Sequence, residues 1–472
     1  DNFKGKEAKI TTVLFDNNYE MITKREDVNK VSKLTEKEYR VGGSTALLDA
    51  IGNSILYMEK EKAEKVMFII TTDGYENSSR EFTKEKIKGM IKTHKEWEFI
   101  YIGADIDSYA AGGDIGIRKS NIANYKKDKK GYKYYYYSDF INEYFKNIKI
   151  GISGTHGKTT TSKLVKTLFN KDSISYIIGD SDGKGEKDYK YFIFEACEYK
   201  YHFIKYDYDY LLINNIEYDH PDYYNNIDEV IKAFKNASKK AKCIITNNDD
   251  INCKKLKHPN KYTYGINNKS YVNCKILNKS KDGFKIKIIV KELEYYFNLP
   301  FTGLFMVYNF LAAFTLYYLT HNNKQIENNI NDSLYEYTIP KRRGVEIKLK
   351  NNNIIIDDFA HHPTEIINTY ESIEQKYPNY NITIVFQPHT YSRTIYLDKE
   401  FKKALSNKNV YIAKTYPSRE EYSSIKEKIV EEIFKDQLKY DVEVIKNILK
   451  KEKQIVIFMG AGNLNNDLKY YI

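Results

Sequence analysis

The chain is poor in the residues that staple small secreted folds. Its four cysteines (Cys197, Cys243, Cys253 and Cys274) in 472 residues are too sparse for a disulfide framework, and their spacing fits no zinc pattern. A reducing, cytoplasmic setting is the expectation. Long apolar runs are missing too. The most extended, Leu304–Leu319, contains Asn309 and Thr315. It is too short for a comfortable membrane span and reads as a buried helix. No apolar signal core or cleavage site is visible at the front. The chain opens on Asp1-Asn2-Phe3-Lys4 without an initiator Met, which points to a fragment whose true start is missing. Acidic residues are outnumbered, 64 against 75 basic, for a net charge of +11. That excess is spread over Lys-rich surface runs. It favours anionic partners in general and gives no specific sign of nucleic acid. The 45 tyrosines accompany many Lys, Asn and Ile, all with A/T-rich codons, and read as genomic drift.

Length predicts roughly three domains, and the pattern supplies three α/β blocks. In the first, to about residue 122, strand-like runs Ile10–Phe15, Val66–Thr71 and Phe99–Gly103 alternate with helical patterns at Ala46–Glu61 and Thr83–His94. That alternation predicts a doubly wound sheet. A Tyr/Lys-rich stretch, Asn124–Tyr137, reads as a linker, and residues 123–147 as a junction. The second block, 148–337, has strands at Ile148–Ile152, Tyr191–Glu195, Tyr210–Asn214 and Cys243–Thr246. The third, 338–472, has them at Asn353–Asp357, Ile382–Gln387, Val410–Ala413 and Gln454–Met459. Three successive α/β domains are expected.

The sharpest motif is Gly154-Thr155-His156-Gly157-Lys158-Thr159-Thr160, where a strand enters a glycine loop and a helix leaves it. Backbone N–H groups and the helix N-terminus there suit an anion. Lys158 has the reach for β- and γ-phosphates, and Thr159 can offer its hydroxyl to Mg²⁺. The full P-loop spacing wants a glycine where Ile152 stands, so this is a shorter G-x-x-G-K-T form. Glu195 ends an apolar strand and His220 sits in an Asp-His-Pro turn. Each reads either as an ordinary surface or turn residue or as a Mg²⁺ ligand. His361 and His362, in a His-His-Pro turn past a strand end, read as structural or as groups that handle a proton.

Five ordered segments carry a resemblance. These are the G-T-H-G-K-T-T-T loop, Phe194–Tyr199 (FEACEY), Asn214–Tyr223 (NNIEYDHPDY), Asp357–Glu365 (DDFAHHPTE) and Phe386–Thr394 (FQPHTYSRT), with Met459–Gly462 closing the series. Together they resemble the Mur ligases over residues 134–472, and among them the branch that couples L-alanine to UDP-N-acetylmuramate. The resemblance implies ATP and Mg²⁺ as cofactors and an acyl-phosphate intermediate. It makes Lys158, His361, His362 and Arg393 the catalytic set, with Arg393 near the substrate. It places the nucleotide on Gly154–Thr160 and Asn309, its ribose on Asp358 and its phosphates on Arg342 or Arg343. Thr159, Glu195 and His220 become the metal ligands. Two departures stand out: Met306 replaces a usual Asn in the adenine segment, where Phe305 is placed to stack on the base, and Gly344 replaces a usual Phe. A recycling ligase that adds a preformed murein tripeptide shares most of these motifs.

The glycine-rich turn of the family's UDP-binding domain is not found. Residues 1–122 instead resemble a von Willebrand factor A domain, truncated at its start. Gly42–Ala50 (GGSTALLDA) and Ile70–Asn77 (ITTDGYEN) match the loops whose Thr and Asp, here Thr45 and Asp73, hold a metal. An alternative reading follows, in which this domain docks a protein partner through a metal and the ligase part is inactive.

Overall fold

Parallel strands need apolar residues on both faces, and the runs read above supply them. The computed structural model describes residues 8–16, 18–28, 30–31, 45–61, 63, 65–72, 74–104, 106–118, 121–125, 137–321 and 325–472. The chain divides into two compact units, residues 1–135 and 136–472.

In the first unit, strands Met67–Thr72, Glu98–Ala104 and Ile122–Tyr125 form a parallel sheet. Helices Leu47–Lys60 and Lys84–Thr93 contribute Leu47, Ile51, Ile55 and Ile87 to a core with Phe99 and Tyr101. Thr83 caps the second helix, its hydroxyl accepting from Lys86 N–H. The first strand departs from expectation. Lys9–Phe15 does not join this sheet but pairs antiparallel with Tyr19–Asp27. The intervening turn, closed in part by Asn18 N–H on the Asp16 carboxylate, is far too short for the crossover that a parallel neighbour needs.

Among its described residues the second unit holds two sheets. The larger has ten strands, and its middle is parallel: Ile148–Ser153 lies between Tyr208–Ile213 and Tyr191–Glu195. Beyond these, Ala241–Asn247 and Lys261–Gly265 continue in parallel. Three antiparallel strands, Val272–Ser280, Gly283–Val290 and Leu293–Leu299, extend one edge. The apolar helix Leu304–Thr320 is buried along most of its length, with Val307, Phe310, Leu311 and Phe314 in the core. Burial of each such side chain contributes about 1.5–3 kcal/mol. Among the described residues no helix is long and apolar enough to cross a membrane.

The six-stranded sheet runs Arg343–Lys348, Ile354–Asp358, Gln454–Met459, Asn381–Phe386, Asn409–Ile412, Leu438–Lys439, antiparallel only at the first pair. Helix Pro363–Lys376 follows its second strand. The carboxyl ends of the central strands in both sheets carry the loops singled out from sequence, where open α/β sheets bind their ligands.

Candidate functional site

Gly154 and Gly157 adopt φ of +132° and +78°, a region closed to most side chains. They turn strand Ile148–Ser153 into helix Lys158–Leu168. The first bond inside that helix is Thr161 N–H to Gly157 O, so the N–H groups of Lys158, Thr159 and Thr160 have no intrahelical acceptor. A Cβ on Gly157 would stand 2.8 Å from Asn309 Oδ1. Gly157→Ala is therefore expected to cost about 1–3 kcal/mol in backbone strain, checked by thermal unfolding.

Lys158 folds back over this loop. Its ammonium donates to Gly154 O at 2.6 Å, Thr155 O at 3.1 Å and Glu198 Oε2 at 3.0 Å. Burial opposes its charge, but the Glu198 carboxylate outweighs that and holds the amine well above its ordinary pKa. Glu198, only 2 % exposed, was not picked out from sequence.

The three expected metal ligands do not stay together: Thr159 and Glu195 pair, and His220 lies by Glu198. Glu195 accepts from Gly179 N–H at 2.6 Å and from the Thr159 hydroxyl at 3.3 Å. His220 Nε2 instead lies 3.7 Å from Glu198 Oε1. Burial lowers the His220 pKa, so the ring is neutral and able to ligate. The Thr159–Glu195 pair offers oxygen ligands beside the phosphate loop and fits Mg²⁺ on phosphates, while Glu198 and His220 form a separate pair.

One cavity of about 670 Å³ is lined by His156, Gly157, Thr160, Phe305, Asn309 and Asp358, among others. Asn309 is 5 % exposed, and its Nδ2 is buried without a hydrogen-bond partner, a donor waiting for an acceptor such as a base nitrogen. Phe305 and Met306 line the same space. The two arginines part company. Arg343 lines the cavity and pairs with Glu365 at 3.3 Å. Arg342 instead donates to Gly460 O at 2.6 Å and Gly462 O at 3.1 Å and does not line the cavity.

Asp358 hydrogen-bonds Ala360 N–H and the Thr369 hydroxyl. Burial pushes its carboxyl up to about 6, against the pull of Arg343 and those donors. An acid raised in the folded state loses stability as pH climbs from its unfolded value near 3.8 through 6. Asp358→Asn is expected to stabilise the nucleotide-free protein by roughly 2–3 kcal/mol at pH 8 and by little at pH 4. Thermal unfolding at both values checks this.

His361 and His362 both stay neutral, lowered by burial to about 3 and about 4. His361 Nδ1 lies 2.9 Å from Phe359 O, so Nδ1 carries the proton and Nε2 keeps the lone pair. His362 is engaged at both nitrogens, with Nε2 3.3 Å from Tyr218 O and Nδ1 accepting from Thr364 N–H at 3.3 Å.

Arg393 lies inside the unit. It is 1 % exposed. It donates to Asp219 Oδ1 at 2.7 Å and Oδ2 at 3.3 Å, and to His389 O at 2.5 Å. In this structure its guanidinium is engaged by groups of the protein itself. It anchors the Asp219-His220 turn to the second sheet. Nearby, Arg419 clasps Asp222 with two bonds of 2.6 Å. In the first unit, Thr45 N–H donates to the Asn77 side chain, and Asp73 lies outside the described residues.

Residues 152–317 match the Mur ligase middle domain, and 343–462 match the Mur ligase glutamate ligase domain. A UDP-N-acetylmuramate–L-alanine ligase from Streptococcus sanguinis is 35% identical over 356 residues, 73% of this chain and 79% of that protein. Among solved structures, the UDP-N-acetylmuramate-alanine ligase of Thermotoga maritima aligns with a TM-score of 0.58 at 19% identity, over 89% of this chain and 96% of that one. The MurF ligase of the same organism, in complex with ADP, aligns with a TM-score of 0.56 at 14% identity, over 86% and 95%. At such identities these two speak for the fold alone.

Proposed function

Because this chain belongs to the Mur ligase family, we propose that it is an ATP-dependent ligase joining L-alanine to UDP-N-acetylmuramate, a step of peptidoglycan precursor synthesis. The observation that carries the reading is the cavity in which the phosphate loop, the unpaired Asn309 amide and Asp358 meet. Asn309 addresses the adenine, Asp358 the ribose, and the loop N–H groups with Lys158 the phosphates.

In the first step the muramyl carboxylate attacks the γ-phosphorus. The bond to the β-bridging oxygen breaks, and ADP leaves with an acyl phosphate remaining. Lys158 and the loop N–H groups neutralise the charge spread over the transferring oxygens. Thr159, Glu195, Glu198 and His220 would hold Mg²⁺, which supplies further charge neutralisation on those phosphates. In the second step the L-alanine amine attacks the acyl carbon and phosphate departs. To His361, neutral and with the Nε2 lone pair free, the reading assigns the amine proton. His362 and Arg393 position the turns that carry it and His220.

Mass spectrometry of the product tests the substrate. UDP-N-acetylmuramoyl-L-alanine is expected from L-alanine, and a product formed only from a murein tripeptide would overturn the assignment to L-alanine.

A further inference from the structure

His156, in the phosphate loop, is used by none of the steps above, yet its surroundings are built. Its Nδ1 faces Glu365 Oε1 at 3.5 Å. That carboxylate is fixed in turn by Arg343 and by His361 N–H. The opposite nitrogen, Nε2, is buried and has no hydrogen-bond partner. It points towards Glu217 Oε2 at 3.5 Å, too long for a good hydrogen bond. His362 completes the group, its ring centroid 4.4 Å from that of His156 and its Nδ1 3.9 Å from the same Glu217 oxygen. The donors of His156, Glu217 and His362 lie within 4.8 Å of one another.

From this geometry we infer a second, transition-metal site: His156, Glu217 and His362 bind a divalent ion of the Zn²⁺ class at the junction of the two sheets. Two imidazoles and one carboxylate are the three-ligand set of open zinc sites, whose fourth position is left to water. Metal–ligand bonds of about 2.0–2.1 Å put tetrahedral donors roughly 3.3 Å apart, so small movements of these side chains close the set. Two nitrogens among three donors favour the Zn²⁺ class over Mg²⁺, whose shell is mostly oxygen.

The outer contacts match those that orient metal-binding histidines. His362 Nε2 faces Tyr218 O, leaving its lone pair on Nδ1. Burial opposes a charge on His156, but the carboxylates of Glu217 and Glu365 outweigh it and raise the ring to about 10, so an ion at Nε2 takes the place of that nitrogen's proton, as metal binding does. Glu217 also accepts from the Thr364 hydroxyl at 2.6 Å. An ion here displaces the weak bond from Thr364 N–H to His362 and the His156 proton that faces Glu217. It links the phosphate loop and the Asn214–Glu217 segment to the start of helix Pro363–Lys376, a clamp between the halves of the unit. The site shares no ligand with the Thr159–Glu195–Glu198–His220 set.

The test is Zn²⁺ titration of the full chain in excess Mg²⁺ against a chromophoric chelator. One tight ion per chain is expected, weakened at least about tenfold in each of His156→Gln, Glu217→Gln and His362→Gln and unchanged in His220→Gln. X-ray absorption of the Zn²⁺-loaded wild-type chain, which depends on no variant folding, should show two imidazoles in the coordination shell. No retained ion, loss only in His220→Gln, or a shell without two imidazoles would overturn the site.

Discussion

Lys158→Ala is expected to lower ATP-driven phosphate release by about 100- to 1,000-fold or more, the usual scale for removing a preorganised group that stabilises transition-state charge. Two effects combine. The ammonium that reaches the transferring phosphoryl oxygens disappears, and so do its bonds to Gly154 O and Thr155 O, which brace the loop. Glu198, almost wholly buried, also loses its close cation. Lys158→Ala with Glu198→Gln removes that second burden. The double variant is expected to recover thermal stability relative to the single one while staying inactive. Phosphate release and unfolding temperature, measured together, separate the chemical part from the structural part.

Arg393→Ala is expected to have the largest effect on stability. Truncating one partner of a buried, bidentate ion pair costs about 3–5 kcal/mol, because the carboxylate left behind is uncompensated. Asp219 is buried and held well below the usual carboxylate range, where the Arg393 guanidinium outweighs the cost of burial. For a unit of this size that cost lowers the unfolding temperature on the order of 10 °C. Activity should fall as well, since the Asp219-His220 turn loses its anchor. Arg393→Lys keeps the charge but not the fork and should fall between. A drop of only a degree or two for Arg393→Ala, by calorimetry of the larger unit, would show that the pair is not what holds the turn.

The central strands were legible because parallel sheets demand unbroken apolar runs, and Tyr191–Glu195 and Gln454–Met459 begin and end where the pattern places them. The phosphate loop was legible because its glycines answer to backbone geometry that few other residues tolerate. The antiparallel edge of the large sheet was missed although it carried a signal. Asp282-Gly283 precedes the alternating Phe284–Ile288 (FKIKI), a hairpin mark. Contacts between distant segments were not readable. Arg393 and Asp219 are 174 positions apart, and nothing local to the arginine distinguishes an anchor from a substrate ligand. Glu195 and Glu198 presented the same difficulty. Only the fold shows that Glu195 meets Gly179 N–H and the Thr159 hydroxyl while Glu198 turns back onto Lys158.

The most direct test of the ligase reading is phosphate release by the purified chain with ATP, Mg²⁺, UDP-N-acetylmuramate and L-alanine, each omitted in turn. Release that needs all four, and that Lys158→Ala abolishes, is the expected result. Release that persists without UDP-N-acetylmuramate or L-alanine, or no release above the Lys158→Ala background, would contradict it.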